Sequence, residues 1–461
     1  MLSRPQSSKP VSPLAWMQAG KRMAFTYLSW ETACTGLVTV IDQAIVSGTS
    51  FCLSVIIARR GSKEQLGVYV LGMSIVLFVT GLHNSLITMP YIFYSPRPDG
   101  RIDAQYAGST LIHACGLSII GVIVLVGVAG IASHRVGISG LENVVWALAG
   151  VITFILLREY ARKVCFAWRQ PGTAIAMDLL AAVIQIGGLL FLCRLGFLSA
   201  TATFWVIGAA YCFATLWWLV SKRQHFDVKL SRVVSDLSLN WSFGKWIVAG
   251  NVIYTARSSL YPWFLASLHG TAATATFAAC MGVTLFANPF FIALSNVLGP
   301  KAAHSFANGG IVALCRVVHK TTLLVSVSMA FFAVGILIVG DKLVILIYGN
   351  QYAGSGPIIS VLVLSLIAGA VALGFDAGLY AMNRANAIFH AYVLGLCVTV
   401  FVGFWMAKYY GPLGAACGLL AASIVTSTSK YLSLSRLING VTKETAHRLP
   451  RIENVGPESV Q

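Results

Sequence analysis

The chain alternates long apolar runs with short polar ones. A helix that crosses a membrane needs about 20 mainly apolar residues. Twelve stretches meet that length, at roughly 33–58, 67–89, 107–132, 143–160, 173–193, 199–220, 246–267, 272–297, 321–340, 357–378, 386–407 and 412–435. Pro90, Pro171, Pro357 and Pro412 fall at span boundaries, where helices start or stop. The pattern predicts an all-α polytopic membrane protein of about twelve transmembrane helices. The longest connection, 221–245, divides it into an N-lobe (33–220) and a C-lobe (246–436), flanked by an N-terminal arm (1–32) and a polar tail (437–461). Leu230, Val233, Val234 and Leu237 recur at i, i+3, i+4, i+7, so the connector is expected to lay an amphipathic helix on the membrane surface.

Charge sharpens this picture. Only 10% of residues are charged, the apolar fraction is 57% and the net charge is +17. So few charges cannot cover a water-exposed surface, which points to lipid. Twenty-four of the 32 Lys and Arg fall on the side that holds both termini, and seven on the other. That asymmetry places both ends in the cytoplasm and accounts for the basic balance better than nucleic-acid binding does. The ten cysteines are scattered, with no C-x-x-C and no Cys/His cluster, and read as small apolar residues. No metal or cofactor is expected, and the absence of a G-x-x-x-x-G-K loop excludes an ATPase within the chain.

The two halves resemble each other. Asp42 lies 19 residues before Gly61, and Asn251 lies 19 before Gly270. Thr80 and Asn84 in the second span match Thr284 and Asn288 in the eighth, and Phe166-Ala167-Trp168-Arg169-Gln170 matches Tyr380-Ala381-Met382-Asn383-Arg384. Paired helical halves with a site between them are a transporter design.

Polar side chains are costly against lipid, so polar stripes should face a cavity or another helix. Thr35, Thr39, Asp42 and Thr49 share one face of span 1; Asn251, Tyr254, Arg257 and Tyr261 share one face of span 7; Asn84 and Asn288 extend the stripes of spans 2 and 8. Asp42, the acid deep in the first half, is either a proton or cation site or a structural carboxylate paired with Gln43, Thr39 or a basic partner. Arg257, read as the basic residue deep in a span, either contacts an anionic head group through its donor fork or pairs with Asp42. Arg158, Arg162, Lys163 and Arg169 form a basic cluster at the cytoplasmic surface, set there by topology and anionic lipid or serving as an electropositive entry for a diphosphate. Asp178 and Asp376 lie nearer span ends, where solvent reaches them.

At this point the chain resembles the Wzx-like polysaccharide-export flippases of the multidrug/oligosaccharidyl-lipid/polysaccharide (MOP) superfamily. The resemblance rests on Val40-Ile41-Asp42-Gln43-Ala44-Ile45-Val46-Ser47-Gly48-Thr49 with Ala58-Arg59-Arg60-Gly61, on Asn84-Ser85-Leu86-Ile87-Thr88-Met89-Pro90, on Leu346-Ile347-Tyr348-Gly349, and on Tyr410-Gly411-Pro412-Leu413-Gly414. It implies two lobes, alternating access, coupling to an ion gradient, a bacterial inner-membrane location and a polyprenyl-diphosphate-linked glycan as partner, with membrane lipid around it and a polymerase and export machinery nearby. On that basis Arg257 is expected to hold the diphosphate, Asp42 the coupling cation, and Asn84, Asn288, Asn251 and Tyr254 the head group, with Arg59 and Arg60 near the outer mouth. The rival within the superfamily is a drug/cation antiporter, which needs more acid in the cavity than Asp42 supplies. A membrane-embedded glycan polymerase or ligase needs acids or bases on a long outward loop, and the outward loops are short.

Overall fold

The computed structural model describes residues 30–95, 103–135 and 137–448. Most of the expected N-terminal arm and residues 449–461 of the tail lie outside them, as do the side chains of Thr35, Thr39 and Asn288. The described residues form helices joined by short turns: α1 (Trp30–Arg60), α2 (Lys63–His83), α3 (Met89–Tyr94), α4 (Ala104–Arg135), α5 (Leu141–Ala167), α6 (Pro171–Leu195), α7 (Ala200–Lys222), α8 (Leu230–His269), α9 (Thr271–Thr284), α10 (Asn288–Tyr348), α11 (Gly356–Ala381), α12 (Ala385–Val398) and α13 (Phe404–Arg448). Large apolar side chains such as Val183, Phe213 and Phe331 point outward, as a lipid-facing surface requires.

Nine helices among the described residues are long and apolar enough to span a membrane. One of them, Ala385–Gly440, is two spans, because Gly411 breaks it at φ 56°. The two remaining expected spans fall short for different reasons. The one at 246–267 is part of the 40-residue α8 and carries Asn251, Thr255, Arg257, Ser258 and Ser259 within its own length. The one at 272–297 is cut into α9, a 3₁₀ turn at Leu285–Ala287 and the start of α10, next to a proline that lacks the N–H an unbroken helix needs. Span 2 is also interrupted. A π turn at Asn84–Thr88 precedes Pro90, which cannot donate to the helix ladder.

The repeat is visible in the backbone. Arg169 and Asn383, at the fourth position of the two matched pentapeptides, are the non-glycine residues of positive φ among the described residues, both at 56°. Each turn closes the same way, with Arg169 N–H bonded to Phe166 O (3.0 Å) and Asn383 N–H to Tyr380 O (3.0 Å).

Turns at Gly61, Gly140, Gly196, Gly270, Gly349 and Gly411 gather at one end of the bundle, and those at Arg169 and Asn383 at the other. At the Gly61 end the halves are fastened together. Arg59 donates to the backbone carbonyls of Ile347 (2.7 Å) and Leu346 at the end of α10. Phe51 packs on Phe286 and Tyr348. A Cβ at Gly67 would come within 1.9 Å of Thr271 O, so α2 and α9 touch backbone to backbone there.

The connector is amphipathic in the expected way, but it docks by its polar face. Asp236 and Asn240 are buried against α4, with Tyr106 Oη donating to Asn240 Oδ1 (2.6 Å), while Leu230 and Val234 are exposed. His113 Nε2 lies 2.8 Å from Val233 O and completes the dock.

Candidate functional site

Span 4 does not end at residue 160. α5 runs on to Ala167, and Arg158, Glu159, Arg162 and Lys163 belong to its inner turns. Arg158 and Arg162 are one turn apart on one face and are 3% and 7% exposed, so these two members of the expected surface cluster are buried, while Lys163 is half-buried and Arg169 exposed. Asp178, expected to be solvated, is 2% exposed on α6. Asp42 on α1 is fully buried.

These charges form one network. The Arg162 guanidinium donates to Asp42 Oδ2 from Nε (2.9 Å) and from Nη2, and its Nε lies 3.1 Å from Asp178 Oδ2. It also donates to Gln43 Oε1 (3.2 Å). Arg158 donates to Asp178 Oδ1 (2.6 Å) and to Glu159, and its guanidinium lies 4.9 Å from the Tyr211 ring centre. With Lys163 the group holds three acids and three bases. Burying charges of one sign alone costs far more than burying such a balanced set. Three polar atoms of the network stay without a hydrogen bond, Asp42 Oδ1, Arg158 Nε and Asp178 Oδ2, the last held only by its ion-pair contact with Arg162. The structure thus answers one open question: Asp42 pairs with Arg162 within its own lobe, not with Arg257.

A cavity of about 490 Å³ opens beside this network. Gln43, Arg158, Glu159, Arg162 and Lys163 line it from the first lobe, and Asn251, Tyr254, Thr255 and Ser258 on α8 line it from the second. Asn84 reaches it from the π turn. Asn251 donates to Ser85 Oγ (3.3 Å), and a Cβ at Gly81 would meet Asn251 Nδ2 at 2.6 Å, so a glycine there lets α2 and α8 close on each other. The size lies within the roughly 300–1,000 Å³ of small-molecule sites.

Arg257, one turn beyond Tyr254, points away from this cavity into the second lobe. It donates to Thr426 Oγ1 (2.9 Å) and lies 6.0 Å from the Tyr392 ring centre. No carboxylate lies within 4.0 Å of it among the described residues. Nor is it the sole basic residue deep in the bundle. Lys430, 2% exposed, bonds Asp376 (2.8 Å) over the face of Tyr392. Asp376 is therefore paired rather than simply solvated. The two lobes use matched positions for opposite charges: Arg162 stands seven residues before Arg169, and Asp376 seven before Asn383. Asp178 and Tyr392 each stand nine after.

Of the remaining expected residues, Arg59 sits at the Gly61 end as a fastener between lobes, and Arg60 is exposed beside it. Asn288 opens α10, and its side chain lies outside the described residues. The structure brings Asn84, Asn251 and Tyr254 together around one cavity, with Asp42 behind its wall, and leaves Arg257, Arg59 and Arg60 elsewhere. Sequence reasoning missed the basic side of the cavity because the span was ended at residue 160, between Arg158 and Arg162, and the basic residues were assigned to the cytoplasmic surface. The i, i+4 spacing of Arg158 and Arg162 among Ile155, Leu156, Tyr160, Ala161 and Val164 was the available signal.

No family model matches the chain, and no curated protein matches it. Solved structures do. A multidrug resistance MATE family transporter of the MOP superfamily in an inward-facing conformation aligns at TM-score 0.72 with 14% identity, covering 87% of this chain and 96% of that one. The lipid II flippase MurJ in an inward closed conformation aligns at 0.66 with 13% identity over 92% and 94%. A MOP superfamily transporter from Pyrococcus furiosus aligns at 0.62 with 12% identity over 88% and 95%. The chain therefore has the polytopic all-α fold of MOP-superfamily transporters.

Proposed function

We propose that this protein flips a polyprenyl-diphosphate-linked oligosaccharide across a bacterial inner membrane by alternating access, with the Arg169 end and both termini in the cytoplasm, in the synthesis of an exopolysaccharide, O-antigen or capsule. The observation that carries this reading is the mixed wall of the 490 Å³ cavity: Arg158, Arg162 and Lys163, three bases beside the single acid Glu159, on one side and the neutral donors and acceptors Asn84, Asn251, Tyr254 and Ser258 on the other. Guanidinium forks suit diphosphate oxygens, and amides and hydroxyls suit sugar hydroxyls. The Lys/Arg asymmetry supports the orientation. The likeness in fold to a lipid II flippase and the sequence resemblance to Wzx-like flippases support the substrate class.

In this reading the diphosphate enters between Arg158 and Arg162 while the polyprenyl tail stays in lipid. Asp42 and Asp178 hold the two guanidiniums in place. Because Arg162 already neutralises Asp42, we assign Asp42 to positioning rather than to a coupling cation. Arg257, with no carboxylate partner among the described residues, meets the head group after the lobes rock.

The test is flipping of a fluorescent undecaprenyl-diphosphate oligosaccharide in proteoliposomes. Arg162→Lys, which keeps a cation beside Asp42 but removes the donor fork, should slow it about tenfold or more while leaving the protein folded, whereas organic-cation transport should be absent. Cation transport without sugar-lipid flipping would favour the drug-antiporter reading, which the multidrug transporter of the same fold keeps in play.

A further inference from the structure

A second cavity, of about 440 Å³, lies at the Gly61 end of the first lobe, away from the charge network. Trp146 on α5 and Trp205 on α7 face it, 46% and 51% exposed. Gln65, Asn143, Ser199 and Thr201 complete its polar wall, and no charged side chain lines it. Trp146 and Trp205 each sit five residues past the helix start, so their Cα atoms lie about 7 Å below the helix ends and their rings lean back toward those ends.

The polar groups here are underused. Gln65 Oε1 accepts from Ala200 N (2.7 Å), which leaves its amide NH₂ free to donate. Ser199 Oγ accepts from Ala202 N (3.1 Å) as the cap of α7, which leaves its hydroxyl proton free. Asn143, Thr201 and both indoles have no side-chain partner among the described residues. The Trp205 ring lies over Gly150, where a Cβ would meet it at 2.5 Å. Gly150 is one turn from Trp146, so the two indoles flank the same strip of α5 without stacking on each other.

Tryptophans at this depth ordinarily anchor a helix at the membrane interface. An anchor needs no cavity and no set of free amides and hydroxyls between the rings. Two aromatic faces favour the slightly positive C–H edges of a saturated ring, and neutral donors and acceptors favour its hydroxyls. Charged head groups find no counter-ion here.

We infer that the Trp146–Trp205 cavity binds an uncharged sugar ring at the outer membrane surface. The word outer rests on the orientation proposed above; the sugar class rests on the cavity itself.

The full chain in phospholipid nanodiscs should be examined by saturation-transfer NMR with neutral tetrasaccharides of glucose, galactose and N-acetylglucosamine. At least one should receive magnetisation at its ring C–H protons. Trp146→Ala and Trp205→Ala should each weaken that binding about tenfold or more, and Trp205→Phe should retain it. Asn143→Ala, which removes no packed side chain, should weaken it as well. Arg162→Lys should leave it intact while slowing flipping, so loss of the flippase reading and loss of this one appear in different measurements. No transfer to any saccharide, or transfer unchanged in both tryptophan variants, would overturn the inference. Contact with lipid protons alone would make the tryptophans interface anchors and overturn it equally.

Discussion

Arg162 Nε lies 2.9 Å from Asp42 Oδ2, joining α5 to α1 across 120 residues of sequence. Asp42 has no water as an alternative partner because it is fully buried, and Arg162, 7% exposed, meets solvent only through the cavity it lines. Removing one member of a buried pair leaves an uncompensated charge and costs roughly 3–5 kcal/mol. Asp42→Ala should therefore lower the melting temperature sharply, and Arg162→Leu in the same chain should recover part of the loss. Thermal unfolding of the four proteins of this double-mutant cycle measures the coupling, and additive losses would show that the pair contributes nothing.

Arg59 makes a different kind of contact. It is exposed, and it donates to two carbonyls at the end of α10 rather than to an acid. Cations near a helix C-terminus gain about 0.3–1 kcal/mol. That is small for stability but enough to bias two conformations of similar energy. Arg59→Ala should raise the population open at the Gly61 end by roughly two- to fivefold. Spin labels at Arg60 and Asn350 report the separation; an unchanged distance distribution would remove Arg59 from the gate.

The polytopic all-α fold and the polar stripes that meet at Asn84, Asn251 and Tyr254 were legible because membrane helices need long apolar runs and put their exceptions inward. The charge network was not legible. Charge in a hydropathy pattern marks both a span end and a buried ion cluster, and α5 used Arg158 through Lys163 as the second while looking like the first. Partnering was hidden for another reason. Asp42 needed a cation, and both Arg257 and Arg162 were chemically suitable; only the packing of α1 beside α6 and α5 chose between them.

The matched turns give a conformational prediction. Arg169 and Asn383 both hold φ at 56°, where a Cβ costs about 1–2 kcal/mol. Asparagine tolerates this region better than arginine does. Arg169→Gly should therefore stabilise more than Asn383→Gly, with both gains near 1 kcal/mol or below, and Arg169→Val should destabilise. Melting temperatures of the three variants check the order; equal gains at the two turns would mean that the Arg169 side chain compensates its own strain.

Lys430 and Arg257 separate structure from binding in the second lobe. Lys430 is buried with Asp376 as its carboxylate partner, 2.7 Å away, and Tyr392 beneath it. Arg257 is half-buried, and its hydrogen-bonded partner is a neutral hydroxyl on Thr426. Asp376→Asn should therefore destabilise by about 3–5 kcal/mol by stranding the ammonium, with Lys430→Met in the same chain restoring much of it. Arg257→Ala removes only a single hydrogen bond to a neutral group, worth about 1.5–3 kcal/mol at most. Its stability loss should be the smaller, and its loss of sugar-lipid flipping the larger relative to stability. Paired measurements of melting temperature and flipping rate decide this. A flipping rate that falls only in step with stability for Arg257→Ala would make that residue a packing element.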